Sequence, residues 1–280
     1  MKNNSLVIMA GGASSRMKQS LENADLDEVI KEIAYTQHKS LIPLGEAKKP
    51  LLHYLIKNAK DAGYNDCYII TNTENQAFKD LVGDSDSEYE GVKVHFAVQH
   101  VPKGREKPMG TADALLQCMQ QHPTLKKERF TVCNGDNLYS AGALADLRKA
   151  REIPHAIISY SGSGLGFSNE RLAAFAVMDI SSEGCLKTII EKPGLEQMEA
   201  YRDASGELRI SMNIFNFTGA LVLSYLENCP INPKRDEKEL PEAVRNIVED
   251  DPKSTICLPR SERIPDLTNA DDIKNFNLYL

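Results

Sequence analysis

Residues 8–17 read "IMAGGASSRM": an apolar run gives way to two adjacent glycines, two serines and then an arginine. A strand ending in consecutive small residues lets the backbone approach a ligand closely, and Gly11 and Gly12 are expected to take φ values that a side chain would forbid. The N–H groups of such a loop can cradle phosphate oxygens. An ordinary tight turn between strand and helix would use the same residues. The spacing fits neither the Walker loop, since no Gly-Lys-Ser/Thr follows, nor the dinucleotide pattern G-x-G-x-x-G. Arg16 favours an anion: it is a permanent charge four residues after Gly12, and a guanidinium can fork across two phosphate oxygens.

The same alternation of apolar run and helical segment continues outward from this loop. "CYIITN" (67–72) follows "LLHYLIKNAKDAG" (51–63), and "RFTVCNGD" (129–136) follows "TADALLQCMQQ" (111–121). "VKVHFAV" (92–98) adds a strand with Val92, Val94, Phe96 and Val98 on one face. That pattern predicts an α/β protein with a mainly parallel sheet covered on both faces. After about Pro154 helices thin out and strands are expected in "HAIISY", "LAAFAVMD", "CLKTII", "LRISMNIFNF" and "STICLP". No Pro/Gly-rich linker or low-complexity tract divides the chain, so residues 1–280 are expected to form a single domain.

Between Arg16 and Lys39 lie 22 residues, 17–38, that read as a loop carrying a short amphipathic helix. Leu26, Val29, Ile30 and Ile33 fall on one helical face, and Asp25 with Glu28 fits a capping box. The segment serves either as packing or as a lid over the glycine loop.

The formal charge of −7, with acidic residues spread along the chain, speaks against a nucleic-acid or membrane-surface partner. The six cysteines are isolated from one another, without the close pairs of a zinc or dithiol redox motif, and read mostly as small core residues. Only five apolar residues follow the first five, too few for a signal-peptide core, and no stretch approaches the roughly 18 apolar residues of a membrane span. A soluble, cytoplasmic protein is expected.

Four further stretches carry side chains suited to chemistry. In "CNGDNLYS" (133–140) an apolar strand ends in Gly135-Asp136, which puts a carboxylate at the carboxyl edge of the sheet, where ligands of open α/β sheets collect. Such an oxygen suits Mg²⁺, commonly held by one or two acids plus substrate phosphates; a helix cap or turn former is the plain alternative. The others are "KPMGTADALLQ" (107–117), "IIEKPG" (189–194) with "SMNIFNF" (211–217), and "IPDLTNADDI" (264–273), where Asp271 and Asp272 suit the start of a last helix.

"AGGASSRM" with "HKSLIPLGEAKKPLLHYLI" (38–56) resembles the signature of the sugar-phosphate nucleotidyltransferases, the nucleotide-sugar pyrophosphorylases: a small-residue loop, an Arg, then a Lys in P-K-x-L-x-P-x-x-x-K-P-L. The resemblance implies a Rossmann-like, GT-A-like fold with a mixed, mainly parallel central sheet flanked by helices. It implies that Arg16 and Lys39 bind the triphosphate and act in catalysis, with Ala10, Gly11, Gly12, Ala13, Ser14 and Ser15 cradling the nucleotide. Gly110 and Thr111 would face base and ribose, and Gln99 would read a pyrimidine. Asp136 and Asp266 would hold Mg²⁺. Glu191, Lys192 and Asn213 would bind the sugar phosphate. The chain departs from the pattern at His38, where proline is common, and at Phe215 and Thr268, where glycine is usual. "REKPMGTA" and "SMNIFNF" look nearer to a less characterised branch that carries Arg-x-Lys-Pro-Trp-Gly-Thr and Ser-Met-Asn-Met-Trp-Gly-Phe.

The activity so implied joins a nucleoside triphosphate to a sugar 1-phosphate and releases pyrophosphate. The alternatives are a cytidylyltransferase with another phosphate acceptor and a sensor that binds a nucleotide sugar without turnover. A glycosyltransferase fits less well, because Asn137-Leu138 follows Asp136 where a second flanking acid is usual.

Overall fold

The computed structural model describes residues 1–22 and 24–280. Its frame is an eleven-stranded sheet. Four strands run parallel at one side: β1 (Ser5–Met9), β2 (Asp66–Thr71), β3 (Val92–Val98) and β4 (Arg129–Asn134), in the order β4-β1-β2-β3, with the short edge strand Glu88–Tyr89 against β3. Neighbours alternate between the faces: Leu6 and Ile8 join one core and Val7 the other, and Cys67 and Ile69 are likewise separated from Tyr68 and Ile70. Uninterrupted apolar runs are therefore required here, because both faces are buried. Each such Leu or Ile side chain contributes about 1.5–3 kcal/mol when taken out of water. The Leu51–Asp61, Ala141–Arg148 and Ala270–Tyr279 helices bury residues in the first core, and the Thr111–Gln121 helix buries residues in the second.

The second half extends this sheet with β5 (His155–Ser161), β6 (Ala176–Ile180), β7 (Leu186–Glu191), β8 (Arg209–Ser211), β9 (Ile214–Thr218) and β10 (Thr255–Arg260). The order continues from β4 as β9-β5-β8-β6-β7, with β10 parallel to β5 on its other side. The expected single strand over 208–217 is broken at Met212-Asn213. Below the break β9 pairs with β4 and the start of β5; above it β8 pairs with the end of β5 and with β6. Asn213 takes a left-handed φ of 54° at this fork. The strand expected over 172–179 starts only at Ala176, because Asn169–Leu172 closes a short helix capped by Ser168. Helices do not fade in this half either: Gly219–Glu227 and Leu240–Asp250 cover the second core.

The segment 17–38 holds two helices, Ser15–Ser20, which starts just before it, and Glu28–Thr36. The cap of the latter is Asp27, whose carboxylate accepts from Val29 N at 2.9 Å, so the capping box of Asp25 with Glu28 does not form. Leu26 and Ile30 lean on the core, whereas Val29 is 64% exposed, one step off the buried stripe that includes Ala34. All six cysteines are buried, as their spacing suggested.

His155 opens β5 in full burial, and its Nδ1 accepts from Thr218 N at 3.3 Å. Burial, reinforced by Arg129, pushes its pKa down to about 4. The unfolded chain binds a proton below about 6.5 that the folded chain takes up only near 4. Stability is therefore whole above pH 6.5 and declines as pH falls through that window, by about 1.4 kcal/mol per unit for this group. Urea unfolding at pH 6.5 and pH 5 checks this: His155→Gln, which keeps an acceptor without a titrating proton, is expected to show the shallower loss. Equal losses in both proteins would refute the assignment.

Candidate functional site

The loop after β1 is built differently from its sequence expectation. Neither Gly11 nor Gly12 takes a left-handed φ; Ser14 does, at 56°. Space does not demand glycine at either position: a Cβ on Gly11 would lie 3.5 Å from the Thr71 backbone at the end of β2, an ordinary contact, and one on Gly12 would point into open space. Ser14 turns the chain into the Ser15–Ser20 helix, and its Oγ accepts from Lys39 N at 3.2 Å. That bond fastens the far end of the 22-residue insertion to the loop. His38 precedes it with φ −68°, the angle proline would also impose. Its Nδ1 accepts from Ser40 N at 3.1 Å, and burial, together with the Lys39 charge, holds its pKa at about 4, so the ring is neutral.

Asp136 stands beyond the end of β4, next to this loop. Gly135 sits where β1 and β4 converge: its N–H donates to Met9 O at 2.9 Å, and a Cβ there would lie 2.9 Å from the same oxygen. Only glycine lets the strand turn there without displacing β1. The Lys39 ammonium pairs with Asp136 Oδ2. Arg16 lies exposed on the first turn of its helix and forms no ion pair with the described residues.

Asp266 arrives from the C-terminal segment. Leu267 N donates to Asp136 O at 2.8 Å and Leu138 N to Pro265 O at 3.1 Å, which lays 265–267 beside 136–138. The Asp266 carboxylate is buried and held by three donors. Asn137 Nδ2 reaches Oδ1 at 3.1 Å, while the Thr268 hydroxyl at 2.5 Å and Arg171 at 3.2 Å reach Oδ2. Burial, with the Asp136 charge second, pushes its pKa up; Thr268 and Lys39 oppose the shift. Thr268, which replaces the usual glycine, thus becomes a ligand of the carboxylate. Phe215, the other replacement, lies in the second core, stacked on Phe217 with ring centroids 5.6 Å apart.

Gln99, Gly110 and Thr111 meet one another at the ends of β2 and β3, but their polar atoms are largely engaged. Gln99 N bonds Thr71 O at 2.8 Å, and its amide donates to Gly110 O and Asp113 Oδ2, both at 3.0 Å. Thr111 Oγ1 accepts from Leu240 N at 2.8 Å and Ala112 N donates to Lys238 O at 2.9 Å, so this turn is docked on residues 238–240. Gly110 takes φ 100°, and a Cβ would fall 2.6 Å from Lys238 O. Both amide hydrogens of Gln99 are thus engaged, and of that side chain's polar atoms its amide oxygen is the one that accepts no hydrogen bond from the described residues.

On the other flank, register places Glu191, Ala176 and Ser211 in one row across β7, β6 and β8, two residues before Asn213. Ile214, the residue after Asn213, pairs with Cys133, two residues before the Gly135-Asp136 turn. Tyr139 OH donates to Met212 O at 2.6 Å and binds the two segments together. Asn213 Oδ1 is buried and has no hydrogen-bond partner among the described residues. A buried acceptor left unmet costs about 1–3 kcal/mol. Burial and Glu239 push the pKa of Glu191 up, against Arg235, Arg245 and Lys192. Lys192 turns away from β7 with φ 47°. The sequence does not single out Arg171 or Arg235, and it marks Asn137 only as the residue that follows Asp136. Only pairing across the fold brings the three in.

The loop, Lys39, Asp136 and the Asp266 segment are thus linked in series at the carboxyl ends of β1 and β4. Gln99, Gly110 and Thr111 lie to one side, and Glu191, Lys192 and Asn213 to the other. The nucleotidyl transferase family matches residues 5–262, a span ending four residues before Asp266. Among characterised proteins, the low-salt glycan biosynthesis nucleotidyltransferase Agl11 of Haloferax volcanii is 25% identical over 246 residues, 87% of this chain and 57% of its own length. The small subunit of the chloroplastic/amyloplastic glucose-1-phosphate adenylyltransferase of Triticum aestivum is 25% identical over 200 residues, 69% of this chain and 39% of its own. The chain therefore spans about half the length, or less, of these relatives. Among solved structures, a UDP-glucose pyrophosphorylase in complex with UDP-glucose superposes with a TM-score of 0.71 at 19% identity, over 99% of this chain and 98% of its own. That likeness establishes the fold: a mixed, mainly parallel nucleotidyltransferase sheet flanked by helices.

Proposed function

Since this chain belongs to the nucleotidyl transferase family, we propose that it joins a nucleoside triphosphate to a sugar 1-phosphate, giving a nucleotide sugar and pyrophosphate. The observation that carries the reading is the convergence of a bare glycine loop, Lys39 and two carboxylates at one sheet edge, flanked by the unmet acceptor of Asn213.

An oxygen of the sugar phosphate attacks the α-phosphorus in line, its new P–O bond forming as the bond to pyrophosphate breaks. The attacking phosphate is already anionic at neutral pH, so no protein nucleophile is needed. Catalysis lies in positioning and in charge neutralisation. Residues 10–15 hold the nucleotide, and Arg16 and Lys39 offset the charge that develops on the leaving pyrophosphate. Glu191, Lys192 and Asn213 hold the sugar phosphate.

Asp136 and Asp266 fit Mg²⁺. They offer hard oxygen donors, and burial first and the Asp136 charge second push the pKa of Asp266 up, a cost of holding two acids here that a divalent cation would relieve. When bound, the ion draws charge from phosphate oxygens. We assign the soluble, cytoplasmic setting to such a reaction between small metabolites; no described helix is long and apolar enough to cross a membrane.

Thermal-shift titration with nucleoside triphosphates and Mg²⁺, then with sugar phosphates, tests the binding half of this reading. A ligand held by the native state alone raises its stability by about 2.7 kcal/mol at 100 times its Kd. At least one triphosphate is expected to raise Tm; no shift with any of them would sink the reading.

A further inference from the structure

We propose that Arg171 is a positioning residue for Asp266, holding that carboxylate in place for a divalent cation. The proposal rests on the reading that Asp136 and Asp266 hold the metal.

Arg171 comes from the short Asn169–Leu172 helix between β5 and β6, 95 residues before its partner. Its guanidinium spans two acids. One arm reaches Asp266 Oδ2 at 3.2 Å, with a longer contact to Asp266 O at 3.4 Å; the other reaches Asp272 Oδ1 at 2.7 Å. Asp272 cannot swing away, because its second oxygen accepts from Thr268 N and Asn269 N, both at 2.9 Å. The ring of Phe167 lies under the guanidinium, 4.6 Å from centroid to carbon. The arginine is thus anchored on one side and presented to Asp266 on the other.

Turning the Asp266 carboxylate about its last bond would break contacts on both oxygens: Asn137 on Oδ1, Thr268 and Arg171 on Oδ2. Outer partners of this kind fix the direction of a ligating oxygen, and their loss typically weakens metal binding or activity about 10–100-fold. Asn137 and Thr268 are neighbours of the two acids in the chain. Arg171 is not, so it also couples the carboxylate to the segment that connects β5 to β6, on the sugar flank. A lysine there would keep the charge but not the fork.

The test is titration of Mn²⁺ in the presence of a non-reacting α,β-methylene nucleoside triphosphate, with free Mn²⁺ followed by electron paramagnetic resonance. Arg171→Met is expected to weaken Mn²⁺ binding about 10-fold, and Arg171→Lys roughly threefold, with triphosphate affinity measured without metal unchanged in both. If Arg171→Met does not fold, Arg171→Lys carries the test alone. Mn²⁺ affinity within experimental error of the wild type in every folded variant overturns the proposal, whatever happens to thermal stability. Asp136→Asn separates the two levels. If it loses Mn²⁺ while the Arg171 variants keep it, only the positioning role fails; if it binds Mn²⁺ as the wild type does, the metal reading itself fails.

Discussion

Replacing Arg16 by alanine is expected to lower kcat by roughly 10² to 10³, the loss seen when one preorganised charge partner of a transition state is removed. The fold gives no reason for a stability effect: the side chain is exposed, forms no ion pair with the described residues, and alanine is the better helix former at that position. Tm within about 2 °C of the wild type, corresponding to at most about 0.5–1 kcal/mol, is expected alongside the lost rate. Arg16→Lys should recover only part of it, since an ammonium cannot fork across two phosphate oxygens. Steady-state pyrophosphate release with the two variants checks this, and an unchanged kcat in Arg16→Ala would remove Arg16 from the mechanism. Should KM rise while kcat holds, Arg16 binds the triphosphate equally in ground and transition states.

Asp136→Asn is expected to have the larger effect, about 10³-fold or more, because on the proposed reading it removes a carboxylate oxygen that would hold Mg²⁺, and with it several kcal/mol of charge stabilisation at the reacting phosphate. The amide is nearly isosteric, and the β4 end is held by main-chain bonds from Gly135 to Met9 and from Leu267 to Asp136, which the substitution leaves in place. It also releases Lys39 from its carboxylate partner, so triphosphate affinity measured without metal is expected to be kept or raised. Loss of turnover with retained triphosphate binding is thus the signature. Full turnover in Asp136→Asn at limiting Mg²⁺ would show that the carboxylate holds no metal.

Much of this architecture is legible in single stretches of sequence. β1, β2 and β4 announce themselves because a strand buried on both faces must be apolar throughout, and Gly135-Asp136 marks the edge of the sheet because only glycine fits against Met9 O. The fork at Met212-Asn213 is not legible: "LRISMNIFNF" is strand-like on both sides of the break, and only pairing with two different neighbours reveals it. The glycine loop misleads for a related reason. Ser14 bears the left-handed turn, held by a bond to Lys39 N across the insertion, and no local preference signals that partner. The capping residue shifts from Asp25 to Asp27 because the two aspartates look alike locally and tertiary packing of Ile30 and Ala34 decides which one begins the helix. Arg171 is the extreme case, an arginine in an unremarkable polar stretch that acquires a role from acids about a hundred residues away.

The central claim is that nucleotide and sugar phosphate react here and are not merely held. Pyrophosphate release from a panel of nucleoside triphosphates, each offered with sugar 1-phosphates and Mg²⁺, tests it most directly. For at least one pair, pyrophosphate is expected to appear in step with nucleotide sugar and only when both substrates are present, with the reaction running backwards when pyrophosphate is added to the product. Binding of a triphosphate with no pyrophosphate from any pair would contradict the account and leave the protein a nucleotide-binding sensor on this fold.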